Sequence, residues 1–166
     1  LPNTFFLAAN DAYDEHERRK GAYQVIREWL SKPAWPVYRN TKNRLAFAPQ
    51  DRVVIYAGGN KAHSQTIIGV AVIASVRSPT NAELEELSQT SAPTPVKILD
   101  LGELICCETP VSIRPILTGL EMFSGLGAKW GVALMGGSRK ISDDDFALIS
   151  SHIGHASAVA ADAKNR

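Results

Sequence analysis

The chain has 166 residues, 45% hydrophobic and 21% charged, with a formal net charge of +1. That balance fits a globular protein with a substantial core and excludes a disordered or fibrous chain. The near-neutral total excludes bulk electrostatic capture of nucleic acid, so any cationic site must be local; no apolar run is long enough to cross a bilayer.

The opening stretch, LPNTFFLAAN, has neither an initiator Met nor the charged and apolar segments of a secretory signal. It reads as the start of a processed product or of a piece cut from a longer protein. TFFLAA at 4–9 predicts a short buried strand. Ala22, Val25, Ile26, Trp29 and Leu30 recur at helical spacing and predict a helix to Ser31, which Pro33 and Pro36 prevent from continuing. The β-branched runs at 52–58 and 66–76 flank Gly58-Gly59-Asn60 and predict an antiparallel pair. Thr80 and Glu83 have capping-box spacing, and SAPTP at 91–95 breaks the short helix they begin. A strand is expected at 96–105, a loop between Pro110 and Pro115, and another strand at 129–137 ending in a glycine turn. Ser142 followed by three acids reads as the N-cap of a closing helix, with Phe146, Ile149, Ile153 and Ala156 on one face. Hairpin-linked strands with inserted helices indicate an α+β fold with a strongly curved or closed sheet; alternating βαβ units are not evident.

Charge is unevenly spread. Residues 39–61 carry Arg39, Lys42, Arg44, Arg52 and Lys61 against Asp51 alone, whereas residues 83–108 carry six acids against Lys97. The adjacent Cys106 and Cys107 make no disulfide framework and fit a reducing, intracellular compartment. His152 and His155 could share a helix face, but no third ligand stands beside them, so surface histidines are the reading. Asp143, Asp144 and Asp145 point in different directions on a helix and serve capping rather than a cation. Gly58-Gly59 and Gly136-Gly137 lack phosphate-loop and dinucleotide spacing, so neither a metal nor a cofactor is expected. No nucleophile motif is present, which argues against an enzyme; substitutions at His63 and Cys107 would test a small-molecule hydrolase.

The tryptophans divide. Trp29 lies on the buried stripe of the first helix. Trp35 sits between Pro33 and Pro36 in a stiff, non-helical segment, where it either plugs the end of the sheet or offers its face as a stacking platform. Trp130 begins the expected strand at 129–137 and is either core or pocket wall.

Four stretches, in this order, resemble the EVE and YTH domains of the PUA-like superfamily: FFLAAND, WPVYRNTKNRLAFAPQDRVVIYAGG, IIGVAVIASV and KWGVALMGGSRKISDDDFALI. The likeness spans residues 4–153. It departs at Gln50, where the family usually has Gly before the Asp, and at Asn10-Asp11, which lacks the lysine common in EVE proteins. The resemblance implies one domain over 1–166, a PUA-like curved or closed mixed β-barrel surrounded by helices, and a pocket for one modified base, a methylated adenine or cytosine. Microbial members are often fused to defence nucleases, so a fused or partner nuclease is implied as well.

The expectation is a non-catalytic reader of modified nucleic acid, DNA rather than RNA. Trp35 is its stacking ring, and Tyr38 or Trp130 a second wall. Asn10, Asp11 and Asn40 read the base edge, while Arg39, Lys42, Arg44 and Arg139 contact phosphates. The alternatives are a PUA-like binder of structured RNA without modification readout, and a protein-interaction module with an exposed apolar patch.

Overall fold

Alternation in the first strand sends Phe5, Leu7 and Ala9 to one face and Phe6 to the other, and all four are buried. A strand apolar on both faces belongs in the middle of a sheet covered on both sides, and that is its place in the computed structural model, which describes residues 1–13, 16–88 and 94–165. The strands of the main sheet are β1 (Thr4–Ala9), β4 (Ala34–Val37), β5 (Arg52–Ala57), β6 (Thr66–Arg77), β7 (Lys97–Ser112) and β8 (Ser138–Ile141). Their order is β4-β7-β6-β5-β1-β8; two short strands, β2 (Ala12–Tyr13) and β3 (Arg19–Lys20), pair separately. β1 runs parallel to β5 and antiparallel to β8, so the sheet is mixed. The predicted antiparallel pair is β5 with β6. The sheet curls into a half-barrel, its pairing interrupted by register shifts in the long β6–β7 ribbon.

One face carries Phe5, Leu7, Val53, Ile55 and Leu99, closed by Ala22 and Ile26 of α1 (Ala22–Ser31). The other carries Phe6, Val54, Tyr56 and Ile67, closed by Met122, Phe123, Ala133 and Ile149. Each large side chain so buried contributes about 1.5–3 kcal/mol. Ile149 belongs to α3 (Asp143–Lys164), whose first turn is capped as the sequence predicts, with the Asp145 N–H donating to Ser142 Oγ at 3.1 Å. The capping box also forms: Thr80 N–H donates to Glu83 Oε1 at 2.9 Å and Glu83 N–H to Thr80 Oγ1 at 3.2 Å, opening α2 (Asn81–Ser88). The helix break expected at 91–95 begins at 91–93, outside the described residues.

Two expected elements are replaced. Where a loop was expected between Pro110 and Pro115, β7 continues to Ser112 and a 3-10 helix follows over Arg114–Gly119. The segment at 129–137 is not a strand: Gly127–Leu134 is a 3-10 helix. Trp130, Ala133 and Leu134, three and four apart, pack together on the second core, so helical periodicity governs where alternation was expected. The stiff, non-helical segment around Trp35 is edge strand β4. Proline biases its predecessor toward extended backbone and is tolerated at a sheet edge, so the stiffness read from the sequence becomes a strand.

Two buried carboxylates fix turns near the strand ends. Asp51 accepts from the Asn3 N–H at 2.9 Å and the Ala48 N–H at 3.0 Å. Asp145 accepts from Glu121 and Met122 at 2.7 and 2.9 Å, which ties α3 to the 3-10 turns.

Candidate functional site

Because β1 and β5 are parallel, the chain leaves both at the same end of the sheet. There Asn10 and Asp11 cross Gly58 and Gly59, with the Gly58 N–H donating to the Ala9 carbonyl at 2.8 Å. A Cβ on Gly58 would lie 2.6 Å from Asn10 Oδ1, and one on Gly59, whose φ is +73°, would overlap the Asp11 carboxylate. Close approach as well as turn geometry therefore requires this glycine pair.

A cavity of about 520 Å³ opens at this point, within the size range of small-ligand sites. Its sheet side is Ala8, Asn10 and Tyr56; Gln65 and Arg114 form a second side, and Trp130, Leu134 and Met135 of the 3-10 segment a third. The Ile113 N–H donates to the Gln65 carbonyl at 3.2 Å, bringing Arg114 beside Gln65. Trp130 is braced edge-on by buried Phe123, with centroids 5.3 Å apart and planes at 76°. Burial pushes the Tyr56 hydroxyl above its ordinary pKa against the opposing pull of Arg114, so the phenol stays neutral and can donate. Among the described residues no carboxylate lines the cavity. It offers an indole, two side-chain amides, a phenol and a guanidinium, a set suited to a flat, acceptor-bearing ring.

The structure brings Asn10 and Trp130 together in this cavity and places the other predicted residues elsewhere. Trp35 is corrected. It is 3% exposed, pairs with Leu99 across β4–β7 and packs with Trp29 in the first core, on the sheet face opposite the cavity. With no free face it cannot stack on a base. Asp11 is corrected as well: its carboxylate accepts from Ala22 N–H at 2.9 Å and Asn60 N–H at 3.1 Å, and pairs with Arg19 at 3.0 Å. It caps α1 from a distance and does not line the cavity. Tyr38 is half-buried, burial pushes its hydroxyl up to about 12, and it too lies outside the cavity lining.

Asn40, Arg39 and Lys42 are exposed on the loop after β4, and Arg44 Nε donates to the Arg39 carbonyl at 2.8 Å. This basic loop is fastened beside the cavity, for the Lys42 N–H donates to the Gly136 carbonyl at 2.9 Å and Gly136 follows Met135. Arg139 lies on β8 beside a separate depression that also holds Glu121 and Asp145. Arg52, counted with the basic stretch, is instead spent on Asp143 at 2.7 Å and lies over the Phe146 ring.

Sequence reasoning missed Tyr56, Gln65 and Arg114. Tyr56 reads as an ordinary strand residue, and only Arg114's position before Pro115 marked a turn. His152 Nε2 lies 2.8 Å from the Ser112 carbonyl, tying α3 to β7. Burial pushes the Cys106 and Cys107 thiols up, away from the reactive thiolate. Among the described residues no group of three or more His, Cys, Asp or Glu could hold a metal, and no helix is long and apolar enough to cross a membrane.

No protein-family model matches the chain, and no curated protein matches it. Solved structures do. Human THYN1 protein, in complex with 5-methylcytosine containing DNA, is 11% identical with a TM-score of 0.55, the match covering 91% of this chain and 97% of that one. The YTH domain of Zygosaccharomyces rouxii MRB1, in complex with N6-methyladenosine RNA, is 13% identical with a TM-score of 0.54, covering 90% and 86%. A protein from Pseudomonas putida is 13% identical with a TM-score of 0.52, covering 90% and 99%. At these identities the likeness is one of fold, and the chain has the PUA-like fold of the EVE and YTH domains.

Proposed function

We propose that this chain is a non-catalytic reader of modified DNA that draws one methylated base, cytosine or adenine, into the cavity at the ends of β1 and β5. The observation that carries this reading is the cavity's composition: one braced indole and several hydrogen-bonding groups, with no carboxylate among the described lining residues. Two chains of the same fold, one bound to 5-methylcytosine DNA and one to N6-methyladenosine RNA, support it. Trp130 stacks on the extruded base, Asn10, Gln65 and the neutral Tyr56 read its edge, and Arg114 meets an acceptor or a phosphate. Asn40, Arg39, Lys42 and Arg44 follow the backbone along the rim, and Arg139 contacts it further out. Residues 1–166 act as one domain with a fused or partner nuclease as effector, which the family resemblance alone supports; the free thiols of Cys106 and Cys107 support a cytoplasmic setting.

The test is a binding panel at one salt concentration, with oligonucleotides carrying 5-methylcytosine, N6-methyladenine or neither. One buried methyl contributes about 0.8 kcal/mol, so the cognate modification should tighten binding about fourfold or more. Trp130→Ala should remove that preference. Equal affinity for modified and unmodified strands would overturn the proposal in favour of readout-free binding.

A further inference from the structure

Leu45 is 78% exposed and Met135 is 62% exposed, although both are large and apolar. A solitary exposed aliphatic residue needs no explanation, but these two belong to segments that are joined. Leu45 stands in a tight turn closed by the Ala46 N–H donating to the Asn43 carbonyl at 2.8 Å, with Asn43 at φ +63°. Turns of this kind usually carry polar residues or glycine. The next apolar residue, Phe47, is 7% exposed and packs against Phe5 with ring centroids 4.8 Å apart, which fixes the base of the turn. The other end is fastened by Lys42 N–H to the Gly136 carbonyl at 2.9 Å and by Asn43 Nδ2 to Ser138 Oγ at 3.3 Å. Met135, next to Gly136, lines the cavity itself. The cavity wall and the Leu45 turn are therefore parts of one anchored ridge, and Arg39, Lys42 and Arg44 lie just before Leu45 on the same loop.

Drawing a base out of a duplex leaves a gap in the stack and strands the opposite base. Proteins that deform duplexes offset that cost by inserting an apolar side chain between base steps. A single strand has no such gap, and an aliphatic tip would gain nothing from it. Cations around the tip complement the phosphates that flank a gap.

We propose that Leu45, on the turn fastened to the Met135 wall, is a wedge that fills the gap left in double-stranded DNA when a base enters the neighbouring cavity. The inference rests on the base-reader function proposed above and names duplex DNA as the form of substrate.

The test compares wild type, Leu45→Ala and Trp130→Ala on the same strands, carrying 5-methylcytosine, N6-methyladenine or neither, single and annealed, at one salt concentration. Burial of a leucine side chain sets the expected scale: Leu45→Ala weakens duplex binding about tenfold and single-strand binding by less than about twofold. A 2-aminopurine opposite the modified base should brighten on binding wild type and brighten less with Leu45→Ala. Because Leu45 is exposed, its removal leaves the melting temperature unchanged, which controls for misfolding. Unchanged duplex affinity, or equal weakening on both forms, overturns the wedge while base reading stands if Trp130→Ala still abolishes modification preference. If Trp130→Ala changes nothing on either form, base reading fails and the wedge with it.

Discussion

The indoles of Trp29 and Trp35 meet edge to face, with centroids 4.8 Å apart and planes at 76°. Each ring is the other's packing partner, one from α1 and one from β4. Trp35→Ala should therefore cost about 3–5 kcal/mol of stability, as large core truncations do. Trp130→Ala should cost less and instead remove base selectivity. Urea unfolding and oligonucleotide titrations on both variants check the pair. A Trp35→Ala protein that melts like wild type but has lost its ligand would return the stacking role to Trp35.

Gly58 and Asn10 give a finer test of the cavity. A methyl on Gly58 would come 2.6 Å from Asn10 Oδ1 and push that amide out of the cavity wall. Gly58→Ala is expected to lower affinity for the modified base more than it lowers the unfolding midpoint. Equal affinity in Gly58→Ala and wild type would show that the Asn10 amide plays no part in readout.

Gln50 occupies the left-handed region at φ +77°, in the turn that leads into buried Asp51. The family resemblance places a glycine there, and an L side chain in that conformation costs about 1–2 kcal/mol. Part of the gain from removing it is lost to unfolded-chain entropy, so Gln50→Gly should stabilise the protein by about 0.5–1 kcal/mol. Thermal melts read this directly, and a lower midpoint would mean the Gln50 side chain makes a compensating contact.

Glu83 titrates with folding. The Arg77 guanidinium, 2.6 Å away, holds its carboxyl down to about 2, with hydrogen bonds from Thr80 adding to the effect. A depressed folded pKa stabilises above the unfolded value near 4.5, and that contribution is lost as pH falls toward 2. The pair is near the surface, so its share is about 0.5–1 kcal/mol. Asp100 also holds Arg77, at 2.8 Å, so Glu83→Gln should flatten the acid limb of the stability curve without abolishing it. Urea midpoints across the acid range decide the matter; identical limbs in both proteins would remove Glu83 from the account.

Lys42 lies with its stem against Gly136 and its backbone fastened to the cavity rim. As a phosphate contact, its replacement by Gln should lower affinity on every sequence alike and reduce the log–log salt slope by about 1. An unchanged slope would take Lys42 off the path of the nucleic-acid backbone.

Much of this protein is legible in its sequence because it is local. The span of β1, the end of α1, the β5–β6 pair, the Thr80–Glu83 box and the Ser142 cap each rest on a few adjacent residues whose periodicity or capping chemistry is independent of the rest of the chain. Asn10 and Trp130 were reachable for a related reason: a polar residue just after a buried strand and an indole beside glycines mark a strand end and a turn, where cavities form.

The pairing of faces belongs to the tertiary structure. Pro33 and Pro36 fix extended backbone around Trp35, but they do not say which face the indole takes; the β4–β7 register turns it toward α1 and away from the cavity. Arg114 is far in sequence from Tyr56 and Gln65, and only the curl of the sheet gathers all three round one space. The family resemblance placed Asp11 among the readers, yet partners from α1, β3 and the turn after β5 claim its carboxylate. A side chain's chemistry is written in the sequence, but its free valences are what remain after long-range contacts have taken theirs, and here those contacts buried Trp35 and left Trp130 at the cavity.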